Sequence, residues 1–196
     1  PLNDAYFAPP IGEGTSGIQI VSSGPDTEKE EVKRGYNRMI STAQEKIWIQ
    51  TPYFVPSGSL QENLKVAVLS GVDVRIMIPN KPDHMFVYWA TWGYVGELIE
   101  LGAKVYIYDK GFLHAKTMVV DGEVSTIGSA NFDRRSFRLS FETNAFIYGS
   151  KEASRMEEIF EEDITHSYLL TKEAYRERGV WIKAKESVCR LLSDLL

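Results

Sequence analysis

Two runs rich in β-branched and apolar residues flank Asp121-Gly122, a dipeptide suited to a tight two-residue turn, and together they specify a β-hairpin. The spacing predicts strands over residues 113–120 and 123–127, with Val120 opposite Glu123, Lys116 opposite Ile127 and His114 opposite Ser129. Side chains alternate between the faces of a strand, so His114 and Lys116 point the same way. Beyond Ile127 the chain leaves the sheet through Gly128-Ser129 and is expected to enter a helix near Asn131. Backbone N–H groups, a hydroxyl and a carboxamide thereby arrive beside an imidazole and an ammonium. That set of groups suits a phosphate oxygen.

The same counting removes Asp121 from the cluster. It lies seven residues beyond His114, roughly 20 Å along a strand rising ~3.3 Å per residue. Asp121 is therefore expected to shape the turn, as a structural member of the motif. A nearer partner for the imidazole is Glu142, in Ser140-Phe141-Glu142-Thr143-Asn144-Ala145-Phe146-Ile147, which reads as the next strand. A carboxylate in so apolar a run needs a compensating neighbour. The string His114-x-Lys116, four residues, Asp121, six residues, Gly128-Ser129-x-Asn131 resembles the signature of the phospholipase D superfamily and points to phosphodiester chemistry. The plainer reading, a core histidine beside a surface lysine, leaves Gly128-Ser129-Ala130-Asn131 and Glu142 unexplained.

With 196 residues, 43% hydrophobic and 25% charged, the chain fits one globular domain with a proper core. A formal charge of −5 argues against a wide nucleic-acid surface, although a basic pocket for one phosphate remains compatible with it. No run is long enough to span a membrane. The single cysteine, Cys189, rules out an internal disulfide. Residues 1–17 are rich in Pro, Gly and polar residues and read as a linker, and the chain looks cut from something longer.

Strands are expected at 18–22, 46–50, 72–78 and 104–108, alternating with helices at 27–42, 57–70 and 83–101. This is an α/β chain with a mixed sheet, crossovers first and antiparallel strands over residues 113–148, flanked by helices on both faces. Helices follow at 151–168, 171–178 and 181–196. The last carries Trp181, Val188, Leu191, Leu192 and Leu195 on one side, either packed on the domain or laid on a membrane interface. The division read from the sequence is a linker at 1–17, a catalytic domain at 18–170 and a helical tail at 171–196.

Further stretches narrow the resemblance. Ile20-Val21-Ser22-Ser23-Gly24-Pro25, Thr51-Pro52-Tyr53-Phe54-Val55-Pro56, Ser70-Gly71-Val72-Asp73-Val74-Arg75-Ile76-Met77-Ile78-Pro79, Lys81-Pro82-Asp83-His84 and Asn131-Phe132-Asp133-Arg134-Arg135-Ser136-Phe137 look like the carboxy-terminal half of bacterial cardiolipin synthases, over nearly the whole chain. The resemblance implies that one phosphatidylglycerol gives its phosphatidyl group to another, releasing glycerol. It implies two copies of the motif, whereas neither His84 nor His166 is followed two residues later by lysine. A second motif-bearing half, from the same chain or a second copy, is the implied partner, along with anionic phospholipids. The implied location is a bacterial cytoplasmic membrane, anchored through segments absent from this chain.

The resemblance also implies a covalent route through a phosphatidyl-histidine, with His114 as either general acid and base or nucleophile. Lys116 and Asn131 would hold non-bridging phosphate oxygens, Ser129 would add a hydroxyl or N–H, and Glu142 would fix the His114 tautomer. No cofactor or metal is required on this scheme. Arg134 or Arg135 would reach a headgroup or pair with Asp133 or Glu142; Tyr53 and His84 lie where either substrate or core would claim them. Phe86, Trp89 and Tyr94 are core or the lining of an acyl-chain entrance. Two other classes compete: a homodimeric phosphodiesterase or nuclease built from one-motif chains, and a non-catalytic module with a vestigial site.

Overall fold

The computed structural model describes residues 14, 16–81 and 83–192, so most of the expected linker at 1–17 lies outside the described residues. The first elements are β1 (Gly17–Ser23), α1 (Glu31–Thr42), β2 (Lys46–Gln50), β3 (Phe54–Val55), α2 (Gly58–Leu69) and β4 (Asp73–Pro79). Next come α3 (Met85–Leu101), β5 (Lys104–Tyr108), β6 (Thr117–Val120), β7 (Val124–Gly128), β8 (Phe132–Asp133) and α4 (Arg134–Arg138). The chain continues through β9 (Glu142–Tyr148), α5 (Ser150–Ile164), β10 (Ser167–Leu170), α6 (Lys172–Arg176) and α7 (Val180–Leu191). Eight strands form one sheet in the order β1-β9-β7-β6-β2-β4-β5-β10, and β3 and β8 form a small second one. β2, β4 and β5 are parallel, while β6, β7, β9 and β1 add on antiparallel, which is the mixed α/β sheet expected.

Strand alternation sorts two cores. Ile47, Ile49, Val74, Ile76, Ile78, Val105 and Ile107 join Ile40 of α1, Leu60 and Leu64 of α2 and Leu98 of α3 in the larger one. Trp48 and Met77 point the other way, onto Phe160 of α5. At roughly 1.5–3 kcal/mol for each large apolar side chain buried, the three-helix side supplies most of the hydrophobic stabilisation. The acidic helix α5 is held partly by polar contacts: Glu157 to Lys46 at 2.8 Å, Glu161 to Arg75 at 3.4 Å and Asp163 to Gln50 at 2.7 Å.

The hairpin differs from expectation by one residue. Its loop has three residues, not two, so Val120 pairs with Val124 and Thr117 with Ile127. Asp121 and Gly122 both take positive φ, 55° and 66°, and the Glu123 N–H closes onto the Val120 carbonyl at 3.1 Å. The extra residue frees the Asp121 carboxylate to turn sideways, where it accepts the backbone N–H groups of Gln44, Glu45 and Lys46 at 2.8, 2.9 and 2.9 Å. The first strand of the hairpin also begins only at Thr117; before it, the Lys116 carbonyl still accepts the Gly128 N–H at 3.3 Å, while residues 113–115 lie outside the strand.

Three further expectations are corrected. The helix expected near Asn131 starts at Arg134, because Phe132 and Asp133 first pair with Phe54 and Val55. The helix expected over 151–168 ends at Ile164, and Ser167–Leu170 pairs with β5, covering an edge that would otherwise expose its ladder groups. Of the two readings of the last helix, packing holds for α7 through buried Glu186 and Cys189 against α3, but not for its apolar stripe, where Trp181 and Leu191 are 84% and 81% exposed. Leu195 lies outside the described residues.

The three hydrogen bonds to Asp121 fasten the hairpin loop to the start of β2. Asp121→Ala is expected to lower unfolding free energy by roughly 2–4 kcal/mol, read from the urea midpoint.

Candidate active site

The turn that follows β7 is built around a buried carboxamide. Asn144, fully buried on β9, accepts the Ala130 N–H at 3.2 Å through Oδ1 and donates through Nδ2 to the Tyr36 hydroxyl at 2.9 Å and to Thr126 Oγ1 at 3.2 Å. Tyr36 in turn donates to the Ala130 carbonyl at 3.3 Å, so both backbone groups of Ala130 are fixed. Gly128 lets β7 approach: a Cβ there would lie 2.4 Å from the Thr143 carbonyl oxygen and 2.5 Å from the Asn144 side chain. No side chain fits in that gap. Ser129, expected to offer a hydroxyl or an N–H to phosphate, uses both on Thr143: its N–H donates to the carbonyl at 3.0 Å and its Oγ accepts the N–H at 2.9 Å. These contacts are those of a turn anchor.

Thr51 fastens the neighbouring loop. Its Oγ1 accepts the Phe132 N–H at 3.1 Å and donates to the Tyr53 carbonyl at 2.8 Å, while its own N–H donates to the Met77 carbonyl at 3.2 Å. This brings the segment after β2 against the segment after Asn131, and β3 and β8 pair there. Asp133 caps α4 by accepting the Ser136 N–H at 2.7 Å, and burial raises its carboxyl above the ordinary range. Asn131 Nδ2 donates to Ser136 Oγ at 3.2 Å, whereas its buried Oδ1 has no partner among the described residues.

His114 and Lys116 lie just before β6. Leu113 and Ala115 turn to the α5 core, so by alternation the two motif residues face the side of the larger core. His114 is exposed, with the Phe112 ring 5.6 Å away, and its imidazole makes no hydrogen bond among the described residues. Lys116 is only 9% exposed and donates from Nζ to the His114 carbonyl at 2.9 Å. Burial pulls its amine below the usual lysine range, against the opposing pull of the Glu142, Asp133 and Asp83 charges. The expected Glu142–His114 hydrogen bond is absent; the Glu142 charge acts on Lys116 and Tyr36. The reason is local, since His114 lies outside the paired strand that would have aimed its ring at β9.

A cavity of about 410 Å³ gathers Asn131, Glu142, Tyr53, His84 and Arg134, all named from the sequence, together with Met85, Phe86 and Arg135. His114 and Lys116 do not line it. Arg134 is braced by the Pro56 carbonyl at 3.3 Å and the Tyr94 hydroxyl at 3.4 Å, contacts that neither sequence reading anticipated. Tyr94 is buried and Trp89 half-buried against the core, leaving Phe86, 59% exposed, at the cavity lip. Sequence reasoning missed Asn144, Thr51 and Tyr36. A polar Asn inside an apolar strand was the available signal for the first.

Chemically, the arrangement offers an accessible imidazole, a buried cation beside it and an unpaired amide oxygen, framed by carboxylates. The turn that presents Asn131 depends on Asn144. Asn144→Ala would leave the Ala130 N–H without its acceptor and remove the donor to the Tyr36 and Thr126 hydroxyls, and is expected to cost roughly 2–4 kcal/mol, measurable by chemical denaturation.

Residues 36–164 match the family described as cardiolipin synthase, PLD-like domain. The chain is 59% identical over 191 residues to a cardiolipin synthase of Listeria welshimeri, covering 97% of this chain and 40% of that protein. It thus spans about two fifths of the length of the curated relatives it matches. Among solved structures, a phosphatidylserine synthase of Haemophilus influenzae superposes with a TM-score of 0.72 at 19% identity, over 92% of this chain and 45% of that one. Nuc of Salmonella typhimurium, a phospholipase D family member, superposes with a TM-score of 0.68 at 19% identity, over 80% of this chain and 99% of that one. The fold is therefore a whole chain in one neighbour and less than half of the other. On sequence and fold together, the chain belongs to the cardiolipin synthase, PLD-like domain family.

Proposed function

We propose that this chain is one half of a phosphatidyl-transfer site that joins two phosphatidylglycerol molecules into cardiolipin and releases glycerol. The observation that carries the reading is the close relationship to a cardiolipin synthase along almost the whole chain. The geometry of the motif supports it. His114 is accessible and unbonded, as a group that must reach phosphorus or a leaving oxygen requires.

In the proposed reaction a histidine nitrogen attacks phosphorus, the bond from phosphorus to the leaving glycerol oxygen breaks, and a second histidine gives that oxygen its proton. The acceptor hydroxyl then gives a proton to the second histidine and attacks phosphorus, and the phosphorus–nitrogen bond breaks. His114 is one of the two and serves as general acid and base, with nucleophile as the alternative assignment. The other comes from a second motif-bearing half, from the same chain or another copy. A fold unit that fills one neighbour and less than half of another supports such pairing.

Lys116 and Asn131 hold non-bridging oxygens as charge builds in the five-coordinate state, and both are presented rigidly, as electrostatic stabilisation demands. Glu142 opposes the effect of burial on Lys116 and, in this reading, accepts the second ring N–H of His114 during the reaction. Ser129 positions the turn. Arg134, Tyr53 and His84 border the headgroup space. Residues 18–170 form the catalytic unit and 171–196 a helical addition. The reaction takes place at a bacterial membrane surface, where its substrates reside; no helix among the described residues is long and apolar enough to cross a membrane. No nucleic acid is a partner in this reading.

Mass spectrometry of lipids tests it. A protein of the relatives' full length that contains this chain is incubated with phosphatidylglycerol vesicles. Cardiolipin and glycerol should accumulate, fall by roughly a thousandfold or more in His114→Ala, and fall by about a hundredfold or more in Lys116→Met. Unchanged product in His114→Ala would overturn the reading.

A further inference from the structure

The helix α7 is packed inside out. It meets α3 through buried Glu186 and Cys189. Glu186 accepts from Arg178 Nη2 at 2.8 Å, and the Arg178 guanidinium stacks on the Tyr175 ring with its carbon 3.2 Å from the centroid. A charged pair taken out of water is costly to separate, so these contacts fix how α7 is rotated about its axis. With ~3.6 residues per turn, the opposite side gathers Val180, Trp181, Ala184, Val188 and Leu191 into an arc of about 100°. All five are exposed, Val180, Trp181 and Leu191 by 80% or more. A contiguous apolar face of this kind marks a contact surface.

Charge and position indicate what covers it. Lys183 and Lys185 flank the arc on its two sides, both exposed. Lys183 donates to the Arg176 carbonyl at 2.7 Å and Lys185 Nζ stands 5.7 Å from the Trp89 ring centroid; neither is in an ion pair among the described residues. Residues 171–192 hold six Lys and Arg against three Glu, in a chain whose net charge is −5. Lys185 over Trp89, and Arg190 over the Tyr94 ring at 4.8 Å, are pairs whose residue numbers both differ by 96, so α3 and α7 run parallel. The same offset sets Trp181 level with Met85, which with Phe86 forms the exposed apolar lip of the cavity. The arc therefore begins at the end of the domain where the cavity opens. An apolar strip with tryptophan at one end and lysines along both sides suits the interface of an anionic bilayer.

We propose that the exposed arc of α7 lies in the surface of an anionic phospholipid bilayer, with Trp181 and Leu191 among the upper acyl chains and Lys183 and Lys185 at the phosphates, and that it holds the cavity lip against the lipid. The choice of phospholipid as the occupant rests on the transferase reading; the existence of the arc does not. Buried Glu186 and Arg178 act as the anchor that keeps the apolar side turned outward. A phospholipid then reaches Met85 and Phe86 without crossing water.

The test reads residue 181 alone, so other attachments of the longer protein to the membrane do not affect it. Full-length protein is reconstituted in phosphatidylglycerol vesicles, and subtracting the emission of Trp181→Phe from that of the unaltered protein isolates Trp181. Lipids brominated on their acyl chains should quench that emission by about half or more, and acrylamide in the water should quench it little. Lys183→Glu combined with Lys185→Glu, or phosphatidylcholine in place of phosphatidylglycerol, should cut the bromine quenching by roughly half or more, with folding checked by circular dichroism. Quenching by acrylamide but not by bromine would leave the arc in water, and shielding from both would put a protein surface, such as the second half, over it. Either result overturns the proposal, as would bromine quenching that ignores both changes of charge. Quenching does not depend on turnover, so absence of cardiolipin from the same vesicles would count against the transferase reading alone.

Discussion

A single buried carboxamide, that of Asn144, determines where the site's return turn can lie. It joins β9, α1 and β7 to the backbone of Ala130, using both donor hydrogens and its oxygen. A buried amide costs several kcal/mol unless its partners are supplied, so these contacts form together or the region does not pack. Gly128 removes the last freedom by bringing β7 against the Thr143 carbonyl. Asn131, three residues on, inherits a fixed position without being tightly bonded itself.

That rigidity matters because the electrostatics nearby are finely opposed. Burial pulls the Lys116 amine below the usual lysine range; the Glu142, Asp133 and Asp83 charges act in the other direction. Asp133 is itself pushed towards the neutral form by burial, with Arg135 and the α4 N–H groups resisting. Arg134 contributes a further positive charge, braced on Pro56 and Tyr94. An anion arriving beside Lys116 thus meets a cation already desolvated, whose interactions are stronger than they would be in water. It also meets carboxylates that limit where else it can settle.

Much of this was legible in the sequence because it follows from short-range rules. The hairpin, the common face of His114 and Lys116, the Glu142 strand and the alternating strands and helices came from turn chemistry and side-chain periods. The one-residue register difference did not, since it depends on Asp121 capturing N–H groups from residues 44–46, far away in sequence. β10 was hidden for a similar reason: local propensity favoured a longer helix, and only the open edge of β5 made a strand preferable. Thr51 stood in a stretch that carried the resemblance, but nothing local marked its hydroxyl as the link between two loops, since Phe132 lies 81 residues away. The apolar side of α7 was open to two readings because a stripe identifies a face but not what covers it, and in the structure that side does not pack on the domain.

The place of Asp121 shows how a residue far from His114 and Lys116 can still help to position them. β6 has only four paired residues, too few to fix the segment before it by ladder bonds alone. At its far end Asp121 fastens the hairpin to the start of β2. At its near end Thr117 donates to Gln50 Oε1 at 3.1 Å, and Gln50 donates to Asp163 of α5 at 2.7 Å. The strand is therefore held at both ends, against the sheet and through the sheet to the helix behind it. His114 and Lys116 extend from the last fixed residue, close enough to be aimed by it and free enough for the imidazole to meet a substrate.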